Sequence, residues 1–128
     1  MKIWQWNKGE TDWLYEEIFK DDLYTSQVIK LEPGYTVFDC GANIGMFALH
    51  AHHKTNGNVT VHSFEPMPKI HDVCAANAKR FGGPNQSLKT YQVLSGEAAC
   101  RCVTRCNSSA CVSYCAAWAV QRACNRHL

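Results

Sequence analysis

A chain of 128 residues, 46% hydrophobic and 19% charged, has the composition of one small globular domain rather than of a disordered or multidomain protein. Thirteen Lys and Arg against eleven Asp and Glu leave a formal charge of +2, and no basic run exceeds Lys79-Arg80, so nothing calls for a nucleic-acid partner. A chain this long buries roughly two thirds of its unfolded surface, enough for one core, yet it is short for a complete doubly wound domain.

The first segment, Met1 to Gly9, carries Trp4 and Trp6 among Lys2 and Lys8 and has no long apolar core. It therefore reads as neither a secretory leader nor a membrane span, and the expectation is a soluble cytoplasmic protein without membrane contact. An edge strand and an aromatic lead-in are both open to it. Thr11 is the expected N-cap of a short amphipathic helix over 12–20, with Asp12 in its first turn and Leu14 and Ile18 a helical turn apart. Trp13, Tyr15 and Phe19 are expected to pack onto a sheet. Asp21-Asp22 close the helix, Leu23 to Leu31 read as extended, and Glu32-Pro33-Gly34 forms the turn that ends a lead-in unit over 1–34.

The organising stretch follows. Thr36, Val37 and Phe38 are β-branched or aromatic, and Asp39, Gly41 and Gly45 follow at once, so an extended run stops in a tight turn. Met46, Phe47, Leu49 and Ala51 supply the inward stripe of a helix whose wetter side is assigned to His50, His52, His53 and Lys54. Asn56-Gly57 ends that helix. Val59, Val61 and Phe64 make a second strand with Glu65 at its carboxyl end, twenty residues after Gly45. This is the first half of a nucleotide-binding βαβ unit. Gly41 and Gly45 let backbone approach a ligand without an intruding Cβ, and the loop's N–H groups can receive a carboxylate or phosphate. Glu65 stands where a carboxylate can accept hydrogen bonds from a ribose diol. The loop lacks the G-x-G-x-x-G spacing of pyrophosphate binders, so an adenosine ligand with an amino-acid tail fits better than a dinucleotide.

Pro66 and Pro68 then set up a helix from Lys69 to Arg80, in which Ile70, Val73, Cys74, Asn77 and Phe81 recur at helical spacing. Gly82-Gly83-Pro84-Asn85 ends it, and Leu88 to Leu94 alternates as a third strand.

The text V-F-D-C-G-A-N-I-G-M-F-A-L with H-S-F-E-P resembles the S-adenosylmethionine-dependent methyltransferases of the FkbM type. The similarity runs from Tyr15-Glu16-Glu17-Ile18-Phe19 through the helix ending near Phe81, roughly two thirds of the chain. It implies an α/β, partial Rossmann-like domain of the class I methyltransferase type, with a cofactor-binding core over 35–96. S-adenosylmethionine is the implied cofactor, and the implied reaction is methyl transfer, mainly to oxygen of a sugar, polyketide or similar small-molecule acceptor. Carried over residue by residue, Asp39, Gly41, Ala42, Asn43 and Gly45 match the loop that holds the methionyl part, and Glu65 matches the ribose ligand. Cys40 stands where the family usually has an apolar residue, and a buried thiol there serves as a small hydrophobe. Catalytic residues are not assigned, because acceptor-binding groups usually follow the third strand. No metal site is expected. The three-residue spacing of His50 and His53 has no third ligand placed beside it, and His62 and His71 read as surface residues.

Beyond Gly96 the resemblance stops. Six of the eight cysteines fall in residues 100–128, and Ala98 to Leu128 contains neither glycine nor proline. The shift has the character of translation in another reading frame, and residues 97–128 are expected to be a tail foreign to the fold. A zinc or disulfide tail and a divergent helical end spanning Cys111 to Cys124 are the alternatives, the zinc reading weakened by the lack of a C-x2-C pair. On this reading the first strand, Thr36 to Asp39, is left as an unpaired edge prone to aggregation.

Overall fold

The computed structural model describes residues 2–26, 30–83, 85–92 and 111–115. Helix α1, Lys8–Tyr15, runs into a π-helical turn, Glu16–Lys20, and is followed by β1, Tyr35–Cys40, and α2, Met46–Lys54. Then come β2, Val59–Glu65, α3, Pro68–Phe81, β3, Leu88–Gln92, and β4, Cys111–Cys115. The four strands form one parallel sheet in the order β3-β2-β1-β4. This is the partial Rossmann-like α/β arrangement implied by the sequence.

The strand alternation sorts the sheet into two faces. Val59, Val61, Ser63 and Glu65 of β2 are buried while the residues between them are half-buried, so one face is covered and the other is more open. Parallel βαβ crossovers are right-handed, and β1, β2 and β3 lie side by side in sequence order, so α2 and α3 share the covered face. There Val37, Val61 and Leu88 join Met46, Phe47, Leu49, Ala51 and Ala78 in the core. On the opposite face Phe38 stacks on His62 and Phe64, and Tyr91 stacks on both of the latter, with neighbouring ring centroids 4.9–6.3 Å apart. These cross-strand aromatic pairs tie β1, β2 and β3 together where no helix among the described residues does.

The sequence expectations need correction at several points. The cap of α1 is Asn7, whose Oδ1 accepts the Glu10 N–H at 3.2 Å, and the helix begins at Lys8, three residues before Thr11. Thr11 lies inside the helix, buried, and turns its hydroxyl back to the Asn7 carbonyl at 2.7 Å. Trp13 and Tyr15 are exposed rather than packed on the sheet, and Phe19 rests on the imidazole rings of His50 and His53 instead. The segment expected to be extended from Leu23 opens with a turn over 23–26, and residues 27–29 lie outside the described residues. The third strand is described to Gln92, and the continuation to Leu94 lies outside. The largest correction concerns β1. It is not an edge, because β4 pairs along it from Thr36↔Cys111 to Cys40↔Cys115, and the start of the segment read as a possible helix is a strand.

His50 also departs from expectation. Assigned to the wet side of α2, it is only 6% exposed, because the turn after the π-helix folds over it. Asp22, at φ 49°, places one carboxylate oxygen 3.0 Å from His50 Nε2 and the other on Lys54, and Thr25 Oγ1 stands 3.2 Å from the same imidazole nitrogen. Lys54 and the two hydrogen-bonding side chains Thr25 and His50 hold the Asp22 carboxyl down at about 2 despite its burial. Burial in turn holds the imidazole below its ordinary value, with Asp22 pulling upward and the charges of Lys54 and His53 pulling downward. The unfolded chain therefore takes up a proton that the folded chain resists, so the contribution of His50 is full above about pH 7 and is lost as the pH falls below about 6.5. His50→Gln should lower Tm by about 4–8 °C at pH 7.5. The gap to wild type should narrow at pH 5.5, and a thermal-unfolding gap of constant size would show that the imidazole does not titrate this way.

Candidate functional site

The carboxyl ends of β1 and β2 meet the N-terminus of α2 in the turn 41–45. Gly41, Asn43 and Gly45 all take positive φ, at 81°, 50° and 82°, so the chain reverses in five residues and delivers Met46 directly into helix. Every N–H of the turn is used inside the protein. The Phe64 carbonyl accepts from Gly41 at 2.8 Å and from Ala42 at 3.0 Å, the Glu65 carboxylate accepts from Asn43 at 2.9 Å, Asn43 Oδ1 accepts from Ile44 at 2.7 Å, and the Ala42 carbonyl accepts from Gly45 at 2.8 Å. The turn is thus no open nest for an anion, contrary to the sequence expectation. Gly45 is required for a different reason as well: a Cβ there would lie 3.0 Å from Cys74 Sγ, so the missing side chain lets α3 pack against the turn.

Glu65 is buried, and its two oxygens divide their work. Oε2 takes the Asn43 N–H, and Oε1 takes the Met67 N–H at 2.9 Å, so one side chain joins the turn after β1 to the turn after β2. A carboxylate has about four lone-pair positions, and two remain for further donors. Asn43 extends the connection outward, its Nδ2 donating to Glu10 Oε1 of α1 at 2.7 Å.

Asp39 sits beneath the turn with no exposed surface, and among the described residues neither carboxyl oxygen has a hydrogen-bond partner. It does not brace the backbone of the turn. Burial pushes its carboxyl up to about 7, with the nearby Glu65 charge adding to the rise and the Ser63 hydroxyl offsetting part of it without reaching hydrogen-bond geometry. The same two carboxylates raise the Cys74 thiol, which burial has already lifted, to about 12, so this cysteine is inert packing. Asp39, Gly41, Ala42, Asn43, Gly45 and Glu65, the six residues singled out from the sequence, therefore occupy one connected region at the carboxyl edge of the sheet. Among the described residues no group of three or more His, Cys, Asp or Glu is arranged to hold a metal, and no helix is long and apolar enough to cross a membrane.

Two residues of this region escaped the sequence reading. Glu10 had no signal, because its partner is 33 positions away. Asn77 did have one: it is an amide in an otherwise apolar helical stripe, it is fully buried, and such a group must find partners.

The folded chain keeps the Asp39 proton up to about pH 7, whereas an unfolded aspartate loses it near pH 4. Between these values the unfolded state holds fewer protons, so this group makes stability decline as the pH rises through the window. Asp39→Asn, neutral throughout, should melt several degrees above wild type at pH 8 and by a clearly smaller margin at pH 5. Thermal unfolding at both values checks this, and a variant less stable at pH 8 contradicts the buried-charge account.

Comparison with known proteins places this geometry in context. The chain is 53% identical over 74 residues to the 31-O-demethyl-FK506 methyltransferase FkbM of Streptomyces tacrolimicus, covering 58% of this chain and 28% of that protein. It is 32% identical over 96 residues to the methyltransferase sdnD of Sordaria araneosa, covering 75% of this chain and 32% of that one. A stretch of 75 residues is 39% identical to the AMB antimetabolite synthetase AmbE of Pseudomonas aeruginosa, covering 59% of this chain and 4% of the synthetase. No family model matches, and no solved structure matches. The chain spans less than a third of the length of these relatives. Over more than half of its own length, the chain resembles methyltransferases of the FkbM type.

Proposed function

We propose that this chain is the cofactor-binding part of an S-adenosylmethionine-dependent methyltransferase that transfers a methyl group to oxygen of a small-molecule acceptor. The observation that carries the reading is the buried Glu65 carboxylate at the tip of β2, held in place by the Asn43 and Met67 N–H groups with acceptor capacity left over. That is the chemistry a ribose diol requires. Two methyltransferase relatives support the reaction class, and one of them is named for a 31-O-demethyl substrate.

The residues present fit the cofactor. The turn has no unused N–H for a pyrophosphate, while the Glu65 carboxylate and Glu10 at the rim make its surroundings acidic. This favours a ligand with cationic groups over a nicotinamide dinucleotide. Glu65 would hold the ribose hydroxyls. Asn43 would orient the amino-acid tail, Gly41, Ala42 and Gly45 would lie beside it as backbone, and Asp39, with no exposed surface, would act only from beneath the turn. When bound, the cofactor supplies an electrophilic methyl group on a sulfonium. What the protein contributes is alignment and exclusion of water around that group. The register of β1 and β2, with Asp39↔Ser63 and Cys40↔Phe64 paired, supports this reading by bringing the two strand ends together.

Calorimetric titration of the whole chain should show binding of S-adenosylhomocysteine and none of NAD. Glu65→Gln should weaken S-adenosylhomocysteine about tenfold or more, since charge-assisted hydrogen bonds are worth roughly 1.5–3 kcal/mol each. Because Glu65 also braces two backbone N–H groups, the thermal transition is measured alongside. A variant that melts like wild type and binds with unchanged affinity removes the assignment.

A further inference from the structure

Asn77 lies in the middle of α3, is fully buried, and has every polar atom of its carboxamide engaged. Its Oδ1 accepts the Trp4 N–H at 2.8 Å, and its Nδ2 donates to the Trp4 carbonyl at 3.0 Å and to the Ile44 carbonyl at 2.9 Å. One side chain thereby serves as the strand partner of the N-terminal lead-in and as an anchor of the glycine turn. We propose that Asn77 is a positioning residue that couples docking of the first ten residues to the conformation of the turn 41–45, so that these residues complete the ligand site.

The observations behind this are independent of one another. Ile44 is held through its carbonyl by Asn77, while the adjacent Asn43 is held through its side chain by Glu10, so two consecutive turn residues are tied to two points of the N-terminal segment. A third tie lies near the tip of β2, where the Lys69 ammonium stands 5.7 Å from the centre of the Trp6 ring, four residues after Glu65. The segment buries little of its own: Trp4 and Trp6 are each more than half exposed, and Ile3 packs against the core only partly buried. Its attachment therefore depends on these polar ties more than on apolar burial. A buried carboxamide that loses one partner cannot recover it from water, so release of Trp4 leaves Asn77 with an unpaired acceptor and donor and strips support from Ile44. By linkage, whatever orders the turn must favour docking of the segment to the same extent.

The test is residue-resolved amide hydrogen exchange on the whole chain, comparing wild type with Trp4→Pro. This substitution deletes the N–H that Asn77 accepts and a largely exposed ring, while the Asn77 side chain itself is kept. The expected result is exchange about tenfold faster at Asn43, Ile44 and Gly45, with the amides of β1 and β2 still protected and a melting transition that is lower but still cooperative. Wild-type exchange at 43–45 in Trp4→Pro overturns the proposal, because it shows that the turn does not respond to the segment. Asn77→Ala should release both the segment and the turn, and if that variant does not fold, Trp4→Pro decides alone. The ligand arm rests on the function proposed above: S-adenosylhomocysteine should slow exchange at residues 4–6 in wild type and bind Trp4→Pro about tenfold more weakly. Unchanged affinity in Trp4→Pro overturns the claim that the segment completes the site. Failure of S-adenosylhomocysteine to bind wild type counts against the functional reading only, since the exchange comparison between wild type and Trp4→Pro needs no ligand.

Discussion

The tip of β2 closes the turn after β1 from within, and the rest of the structure depends on that closure. The Phe64 carbonyl collects two N–H groups and the Glu65 carboxylate collects one more, so the parallel ladder between β1 and β2 continues into a stretch that is no longer strand. A turn with three residues at positive φ would otherwise leave several donors unpaired at a partly buried site, each costing about 1–3 kcal/mol. With these donors satisfied, α2 leaves the turn in one direction, and α3 can approach until Cys74 meets the space that Gly45 leaves empty. The same closure sets the electrostatic character of the edge. Its donors are spent internally and the Glu65 carboxylate remains, which makes it a surroundings for positive rather than negative charge.

The N-terminal segment is attached by a different logic. Apolar burial holds the sheet to α2 and α3 and, through Ile18 with Ile3, Leu14 and Phe19 beside it, reaches the N-terminal segment, whose position is further fixed by polar side chains: Asn77 to Trp4, Asn43 to Glu10, and His50 and Lys54 to Asp22. Each pair is separated by at least 28 positions in sequence, so the segment is defined by tertiary contacts far more than by local ones. The π-helical turn between α1 and Asp21 adds a residue to the last turn of helix, closed by Asp21 N–H on the Glu16 carbonyl at 2.9 Å. It leaves Ile18 in the core and Phe19 edge-on to His50.

The sheet itself shows how much depends on one distant strand. Without β4, β1 would expose an apolar edge at the point where Asp39 and the glycine turn begin, whereas with it β1 is interior and Asp39 lies between paired strands. Burial, together with the Glu65 charge, raises the Asp39 carboxyl on this interior strand.

What the sequence by itself determined was whatever is settled within one element and its adjoining turn. The stop of β1 at the glycine turn, the run of α2 into Asn56-Gly57, the place of Glu65 at the end of β2, and α3 between Pro68 and Gly82 all follow from side-chain period and from which residues tolerate positive φ. The left-handed conformation at Asn43 was legible for the same reason. The tertiary structure alone decided the matters that depend on a partner far away in the chain. Asn7 rather than Thr11 caps α1, because both can cap and only one of them is left free of the packed side. His50 is buried because Asp22 reaches it across 28 positions, Asn77 is a tie because Trp4 lies 73 positions away, and Cys111–Cys115 is a strand because β1 offers it a ladder. Composition and spacing show that a polar group must be satisfied, but the donor or acceptor that satisfies it is chosen by three-dimensional proximity, which local period does not encode.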